Sequence, residues 1–181
     1  MKITPRRLLF LAATLLVTPV FINDIPFVFA QDMAHQPSMP STRLTVHGLD
    51  GKSVDLGPDD LAALPHKTVS VFNSHTKSNE EYSGVVLSEL LSKVGTPQGE
   101  SVKGKLFMIG VVARGTDEYS VLYALAEVDP SIHTGDVIVA DSMGGQKLGK
   151  DGAFKLVSTE ERRPARWVRN LTEISLVEVK Q

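Results

Sequence analysis

The sequence predicts one α+β domain that is mostly β-sheet and has only a few short helices. The chain has 181 residues, of which 42% are hydrophobic, so a disordered or collagen-like chain is excluded. Short stretches of alternating apolar and polar residues predict several strands, whereas helical spacing of apolar residues is sustained in one segment only. No internal repeat occurs, and about 140 residues remain for a single hydrophobic core.

The domain is predicted to begin with a β-hairpin and a short helix. Leu44 and Val46 alternate with polar residues, and a turn over residues 48–51 leads into a second strand over residues 53–56. Pro58 suits the first position of a helix, and two aspartates follow it where the helix dipole favours negative charge. A second proline soon afterwards ends this helix.

A third strand and the strongest helical pattern follow in the chain. The strand is predicted over residues 67–72, where apolar and polar residues alternate. Apolar residues recur at helical spacing from Val86 to Val94, and Gly95 provides a C-terminal stop. This segment is therefore the most clearly predicted helix of the chain.

The second half of the domain is predicted to be β. Residues 106–112 and 137–140 are unbroken apolar runs, which are typical of central strands that are buried on both faces. The remaining strands are predicted over residues 119–124, 154–157 and 172–179, with one helical turn over residues 125–128.

The first thirty residues are predicted to be a signal peptide. Basic residues between Lys2 and Arg7 precede an apolar segment, and small residues that end at Ala30 suit cleavage before Gln31. The predicted organisation is a signal peptide at residues 1–30, a flexible tether at residues 31–41 and the domain at residues 42–181. We expect a periplasmic or secreted protein that does not contact the membrane after cleavage.

Two alternatives to this export route are considered. An uncleaved membrane anchor needs about 20 apolar residues, and Pro19 and Asn23 interrupt the run earlier. Arg6 and Arg7 also fit a loose twin-arginine pattern, the route of proteins that are exported already folded, but Pro5 stands where serine or threonine is usual. The ordinary route for unfolded proteins is therefore favoured.

The composition excludes several classes of function. The sequence contains no cysteine, so thiolate catalysis, iron–sulfur clusters and cysteine zinc sites are excluded. The formal net charge is −2, so there is no basic excess to neutralise a nucleic acid backbone. We expect no nucleic acid partner.

The sequence contains no complete catalytic motif. A phosphate-loop pattern runs from Gly144 to Lys150, but Asp151 stands where a magnesium-binding serine or threonine is required. The histidines of the domain show no metal-ligand spacing: they are His47, His66, His75 and His133. We assign no catalytic residue and no metal ligand.

Two pairs of neighbouring acids do not predict an acid–base site. Glu80 and Glu81 would point to opposite faces of an extended segment, and so would Asp117 and Glu118. We expect these carboxylates to be solvated.

One cluster of charged residues suggests a ligand site. Four arginines occur within eight residues beside Trp167, the only tryptophan of the chain: Arg162, Arg163, Arg166 and Arg169. Guanidinium groups can hold an anion with paired hydrogen bonds, and an indole ring offers a flat apolar wall. In the alternative interpretation, the arginines pair with acids such as Glu161 or Glu173, and Trp167 fills the core.

Several segments together carry a family resemblance. Residues 152–157 precede the arginine-rich segment 162–169, residues 82–95 contain Gly-Val-Val-Leu before a Leu-Leu pair, and residues 119–130 end in Leu-Ala-Glu-Val-Asp-Pro. In this order they resemble the oxidoreductase molybdopterin-binding domain family, in its small stand-alone exported form. The resemblance spans residues 42–179 and implies the sulfite-oxidase fold.

The resemblance implies a cofactor site that this sequence does not complete. Enzymes of the family hold molybdenum through the dithiolene of a pyranopterin and through one cysteine thiolate, which would stand near residues 72–75 here. The chain offers Asn73, Ser74 and His75 in this segment, and a neutral asparagine or serine replaces a soft thiolate poorly. Arg166 and Trp167 match the basic–aromatic pair that lies against the cofactor in the enzymes. We therefore predict no cofactor from the residues themselves, and molybdopterin follows from the resemblance alone.

The sequence supports two hypotheses of different functional class, and a purely structural subunit is a third. The favoured hypothesis is a non-redox exported binding module for a small anion, a pterin-like ligand or a periplasmic partner protein. The residues predicted to bind the ligand are His75, Arg163, Arg166 and Trp167. The alternative is a sulfite-oxidase-like, molybdenum-cofactor-dependent oxidoreductase whose metal coordination uses no cysteine.

Overall fold

The computed structural model describes residues 39–180. The predicted signal peptide at residues 1–30 and residues 31–38 of the predicted tether lie outside this range. The strands of the described part are β1 (Leu44–His47), β2 (Ser53–Leu56), β3 (Lys67–Asn73), β4 (Ser78–Val86), β5 (Ile109–Gly115), β6 (Ser120–Ala124), β7 (Val137–Met143), β8 (Gln146–Lys147), β9 (Lys155–Ser158) and β10 (Leu171–Glu178). The α-helices are α1 (Pro58–Ala62) and α2 (Leu87–Ser92). Short 3-10 helices occur at Gly99–Ser101, Gly104–Met108, Leu125–Glu127, Gly149–Asp151 and Pro164–Arg166.

The strands form two sheets. In the first sheet the order is β2-β1-β10-β5-β6, and β10 runs parallel to β1 and antiparallel to β5. In the second sheet β4 lies between β3 and β7, and both β8 and β9 pair with β7. The last strand of the chain therefore lies in the middle of the first sheet, and β7 is the central strand of the second.

Apolar residues of both sheets and of α2 form the main hydrophobic core. The alternate residues Leu44 and Val46 of β1 are fully buried, as are Leu87 and Leu90 of α2. A smaller cluster lies against the second sheet and includes Tyr82, Ile138, Val157 and Trp167. This smaller cluster is the base on which the candidate site is built.

The mostly β α+β fold class is confirmed, together with most of the predicted elements. The first hairpin, α1, β3, β6, β7, β9 and β10 occur at or close to their predicted positions. The apolar run at residues 137–140 is buried throughout, as expected of a central strand. The predicted helical turn at residues 125–128 is the 3-10 helix at Leu125–Glu127.

The predicted helix after residue 86 is shorter than its apolar pattern suggests. Helix α2 has six residues, because strand β4 occupies the chain as far as Val86. Gly95 follows with a φ of +81°, in the left-handed region that favours glycine, and turns the chain away from the helix.

The prediction of a strand over residues 106–112 is wrong in its first half. Residues Gly104–Met108 form a 3-10 helix, and Phe107 and Met108 are exposed. Strand β5 begins only at Ile109. An unbroken apolar run predicts that part of a segment is buried. Because the run has no alternation of apolar and polar residues, it does not distinguish a strand from a tight turn.

Strands β4 and β8 are not predicted by the sequence. The first six residues of β4 are Ser, Asn, Glu, Glu, Tyr and Ser, so the alternation of burial is masked by polar residues on both faces. Buried Tyr82 is the main apolar contribution of this half of the strand. Its long hairpin with β3 is instead fixed by seven residue pairs, from Lys67–Gly84 to Asn73–Ser78.

The described end of the predicted tether is packed against the domain. Ser41 is buried, its carbonyl accepts a hydrogen bond from the amide of Ala153, and its own amide donates to the side chain of Asn170. The packed part of the chain therefore includes Ser41, just before the domain start predicted at residue 42. Within residues 39–180, no helix is long and apolar enough to cross a membrane.

His66 joins the start of the second sheet to β7. Its Nε2 lies 3.0 Å from Oδ2 of Asp141, and its Nδ1 lies 2.7 Å from the carbonyl oxygen of Leu64. Burial alone would lower the pKa of His66, but the hydrogen bonds to Asp141 and Leu64 raise it above its ordinary value.

The substitution Asp141→Asn is expected to destabilise the domain mainly at acid pH. A histidine pKa that is raised in the folded state stabilises the fold below the pKa of the unfolded chain, and this stability is lost as the pH rises through the folded pKa. We expect a loss of about 1 kcal/mol near pH ~5.5 and a smaller loss near pH ~8.5, measured by urea denaturation. Equal losses at both pH values would show that the charge of His66 makes no contribution.

Candidate functional site

A cavity of about 540 Å³ opens at one end of the second sheet, where β3 and β7 finish and β9 begins. Its floor is formed by three buried side chains: Tyr82, Lys155 and Trp167. Its mouth carries three exposed side chains that can be positively charged: His75, Lys150 and Arg169. The cavity lining therefore combines aromatic rings with charges of both signs. The cations are Lys155 of the floor and Lys150 and Arg169 of the rim, and the carboxylates are Glu80, Asp117 and Asp151.

The two aromatic rings of the floor are held at a fixed angle. Tyr82 on β4 and Trp167 after the last 3-10 helix meet edge to face, with ring centroids 5.7 Å apart and an interplanar angle of 78°. The indole Nε1 of Trp167 donates to the carbonyl of Ser158 at 2.9 Å. Since its polar atom is satisfied inside the protein, the ring of Trp167 offers an apolar surface to the cavity.

Lys155 is the first residue of β9, and its side chain is almost completely buried. Its Nζ donates to Oδ2 of Asp151 at 2.7 Å and to the hydroxyl of Tyr82 at 2.8 Å. The same ammonium lies 4.6 Å from the ring centroid of Tyr82 and 5.4 Å from that of Trp167. A carboxylate, a phenol and two ring faces thus replace the water that this charge loses on burial.

Glu80 of β4 receives hydrogen bonds from three side chains. The amide of Asn73 donates to both carboxylate oxygens, at 3.0 and 2.9 Å, and the hydroxyls of Thr76 and Tyr82 donate at 2.9 and 2.7 Å. Burial alone would raise the pKa of Glu80, but the hydrogen bonds from Asn73, Tyr82 and Thr76 hold it below its ordinary value. Glu80 is therefore a carboxylate at neutral pH.

The same contacts fix the turn that carries His75 at the mouth. Oδ1 of Asn73 accepts a hydrogen bond from the amide of His75 at 2.9 Å, and the carbonyl of Asn73 accepts one from Lys77 at 2.7 Å. Glu80 holds the other end of the Asn73 amide. The position of His75 thus depends on Glu80, although the two side chains do not touch through any hydrogen bond in the described residues.

The phenol of Tyr82 links the half-buried carboxylate of Glu80 to the ammonium of Lys155. It accepts a hydrogen bond from Lys155 and donates one to Glu80. Burial raises the pKa of Tyr82, and the nearby charge of Glu80 raises it further, so the phenol stays neutral across the ordinary pH range. One continuous chain of hydrogen bonds therefore runs from Asn73 through Glu80, Tyr82 and Lys155 to Asp151.

The charges of the site are not all neutralised within the protein. Glu80 is satisfied by three donors, and Asp151 is paired with Lys155. Neither Lys150 nor Arg169 makes a side-chain hydrogen bond or ion pair with another residue of the described range. Lys150 and Arg169 are therefore two lining cations without an ion pair among the described residues, and the carboxylate of Asp117 lines the same cavity.

The structure brings two of the four predicted ligand-binding residues to this cavity. His75 and Trp167 line it, whereas Arg163 is exposed and Arg166 lies outside the lining. In place of these two arginines, the lining contains Lys150 and Arg169. Of the four clustered arginines, Arg169 is the one that lines the cavity.

Arg166 is held by acids of the protein itself. Its Nε donates to Oε1 of Glu161 at 2.6 Å, and its NH1 donates to Oε1 of Glu127 at 3.2 Å. The guanidinium also lies 4.3 Å from the ring centroid of Tyr123. Burial would lower the pKa of Arg166, but the hydrogen bond to Glu161 and the charge of Glu127 raise it. This arrangement corresponds to the scaffold alternative, in which Arg166 pairs with Glu161.

The substitution Arg166→Ala is expected to lower the free energy of unfolding by about 2 kcal/mol. This lies between the cost of an exposed ion pair and that of a fully buried one, because the Arg166 side chain is about one-third exposed. Affinity for ligands of the cavity should not change. Thermal melts and ligand titrations of the variant measure both effects. If the Arg166→Ala protein were as stable as the wild type but no longer bound ligand, Arg166 would be a ligand-binding residue and not part of the scaffold.

A cysteine-held molybdenum centre does not fit the residues at the end of β3. Asn73 stands there, and its side chain is saturated, because its amide nitrogen donates to Glu80 and its oxygen accepts from His75. No cysteine exists to supply a thiolate. Among residues 39–180, no group of three or more His, Asp or Glu side chains is placed to hold a metal ion.

Sequence reasoning missed the residues that form the floor and rim of the cavity. The expectation that Glu80 is solvated is wrong, because the turn and the Tyr82 hydroxyl enclose its carboxylate, while Glu81 on the opposite face is exposed. Lys155 carried a usable signal: it interrupts the apolar segment 154–157, where a charge is expected to be paired. Lys150 and Asp151 belong to the glycine-rich segment in which the phosphate-loop motif is incomplete, so the sequence predicts no ligand-binding role for them.

The arrangement of two sheets with few helices is shared with an enzyme of known structure. That structure is the sulfane dehydrogenase SoxCD from Paracoccus pantotrophus, which matches with a TM-score of 0.59 and 20% sequence identity. The match covers 76% of this chain and 38% of that chain, so this chain spans less than half the length of the dehydrogenase chain. No protein-family model matches the chain, and no curated protein sequence does. The similarity thus concerns the fold.

Proposed function

We propose that this domain is a non-redox binding module, which acts in the periplasm or outside the cell and holds a small organic anion in the cavity. The ligand class is a flat ring that bears a carboxylate or phosphate group, such as a pterin-like compound. The observation that carries this proposal is that two cations without an ion pair among the described residues, Lys150 and Arg169, line the same cavity as the ring of Trp167.

The chemistry of the cavity matches such a ligand in two places. A guanidinium and an ammonium together can hold a carboxylate or phosphate with charge-assisted hydrogen bonds. The ring of the ligand can lie against Trp167 and Pro164, which line the cavity beside Arg169. The resemblance to the molybdopterin-binding domain family supports a ring of the pterin type, while the saturated Asn73 side chain argues against a metal held at that position.

The alternative function is a molybdenum-cofactor oxidoreductase with coordination that uses no cysteine. The fold similarity to a sulfane dehydrogenase favours it. In that case His75, an exposed residue of the cavity lining at the end of β3, would be a candidate contact for the cofactor, and the cofactor would supply all redox chemistry. Elemental analysis separates this alternative from the binding module.

Ligand titration of rim variants tests the proposed function. The probes are pterin-6-carboxylate, inorganic phosphate and sulfite, followed by calorimetry and thermal melts. We expect the wild type to bind pterin-6-carboxylate, and the double variant Lys150→Gln/Arg169→Gln to bind it at least about tenfold more weakly, a loss of roughly 1.4 kcal/mol. A ligand of the native state should also raise the melting temperature of the wild type.

Arg162→Gln is the matched control, because Arg162 is an exposed arginine of the same segment that does not line the cavity. It removes one positive charge nearby and should leave the affinity unchanged within about twofold. Equal losses in Arg162→Gln and in the rim variants would mean that binding reflects the general charge of the surface. No binding of any probe to the wild type would contradict the proposed function.

A further inference from the structure

We propose that Lys155 is a positioning residue that keeps Lys150 and Arg169 available to an anion, because it holds the charge of Asp151 away from them. This inference rests on the proposed function and deepens it. It assigns Lys155 no contact with the ligand: its role is to decide which charges of the site remain free.

Asp151 is placed where it could neutralise the rim. It shares the 3-10 helix Gly149–Asp151 with Lys150, and its carbonyl accepts a hydrogen bond at 2.7 Å from the amide of Asn170, the residue after Arg169. Asp151 also lines the cavity. A carboxylate at this position, if unpaired, would attract the two rim cations and repel an anionic ligand.

The carboxylate of Asp151 is instead committed to Lys155. Oδ2 lies 2.7 Å from Nζ of Lys155, in a pair whose side chains are only 14% and 6% exposed. Oδ1 of Asp151 is buried and has no hydrogen-bond partner in the described residues. Lys155 is therefore the group that neutralises this carboxylate, and water screens their interaction only weakly.

The rest of the hydrogen-bond chain keeps Lys155 in place. The Tyr82 hydroxyl accepts from Nζ, and it cannot turn away because it also donates to Glu80. The rings of Tyr82 and Trp167 flank the ammonium. The charge of Lys155 is thus fixed on Asp151, which leaves the rim cations free for the ligand.

Trp167 allows the local charge to be measured without a known ligand. It is the only tryptophan of the chain, it lines the cavity, and Nζ of Lys155 lies 5.4 Å from its ring centroid. Quenching of its fluorescence by iodide, divided by quenching by neutral acrylamide, reports how strongly the cavity attracts anions. Caesium provides the opposite sign of charge.

The experiment compares the full-length wild type with Lys155→Met, Asp151→Asn and the double variant. The iodide-to-acrylamide ratio should fall about threefold in Lys155→Met, the effect of one unit charge at short distance in a partly screened site. It should rise in Asp151→Asn, where Lys155 is left unneutralised. The double variant removes both charges and should return to the wild-type ratio, and the affinity for pterin-6-carboxylate should follow the same order.

The two single variants must change the ratio in opposite directions. If Lys155 had a purely structural role, the quenching ratio would change in the same direction in both single variants. This result would overturn the proposal. So would wild-type ratios in all variants, or no access of iodide to Trp167. If Lys155→Met does not fold, the remaining two variants test the proposal: the ratio should rise in Asp151→Asn and return to the wild-type value in the double variant. A wild type that binds no probe, with the expected order of quenching, would contradict the proposed function and leave this inference standing.

Discussion

Lys155→Met is expected to lower the free energy of unfolding by about 3–5 kcal/mol. The substitution keeps the length of the side chain but removes its charge, so the carboxylate of Asp151 stays buried without a partner. The Tyr82 hydroxyl also loses one of its two hydrogen bonds. Urea denaturation, followed by circular dichroism, measures the loss.

Lys150→Met provides the matched control for this prediction. Lys150 is an exposed lysine of the same cavity, and its replacement should change stability by no more than about 0.5 kcal/mol. The double variant Lys155→Met/Asp151→Asn should recover most of the lost stability, because no unpaired charge remains. A Lys155→Met protein as stable as Lys150→Met would show that the buried pair does not form.

Gly84→Ala is expected to disrupt the second sheet, at a cost above about 4 kcal/mol. A Cβ at this position would lie 2.1 Å from the carbonyl oxygen of Val139 and 2.4 Å from Cα of Ala140. Both contacts are with backbone of β7, which cannot move away without breaking its pairing with β4. The register shift between Ser83 and Gly84 occurs at this close approach.

Gly57→Ala is the control for the loss of glycine flexibility. Gly57 has an extended backbone with φ −85°, and an added Cβ would meet only a side-chain oxygen of Asp60, at 3.4 Å. The melting temperature of the Gly57→Ala protein should stay within a few degrees of that of the wild type. If the Gly84→Ala protein had the same melting temperature as the Gly57→Ala protein, this result would contradict the close packing of β4 on β7.

The elements that the sequence predicts are those with local signals. Pro58 and its following acids define α1, and the alternation of Leu44 and Val46 defines β1. Strand β4 lacks such a signal, because its stability comes from partners that are distant in sequence. Its residue Val86, for example, pairs with Ile138 of β7.

The candidate site was predicted only in part for the same reason. The arginine cluster is visible in the sequence, but which arginine is free depends on acids far along the chain. Arg166 is neutralised partly by Glu127, 39 residues away, whereas Arg169 faces the cavity. Composition and spacing cannot distinguish the two, because both positions carry the same side chain in the same short segment.

The fold similarity and the charges of the cavity are separate observations about this chain. The dehydrogenase SoxCD shares the fold at 20% identity. The cavity lining of this chain includes Lys155, Asp151 and Glu80, which one chain of hydrogen bonds joins through Tyr82. We expect ligand chemistry to follow this network rather than the architecture of the sheets.

The central claim is that the cavity holds an organic anion and no thiolate-bound metal. The most direct test is elemental analysis, with native mass spectrometry, of the protein purified gently from its own source. The account predicts far less than one molybdenum per chain, and any retained mass should correspond to a metal-free organic anion that Lys150→Gln/Arg169→Gln releases. Near one molybdenum per chain, retained in that double variant, would contradict the account and establish the oxidoreductase alternative.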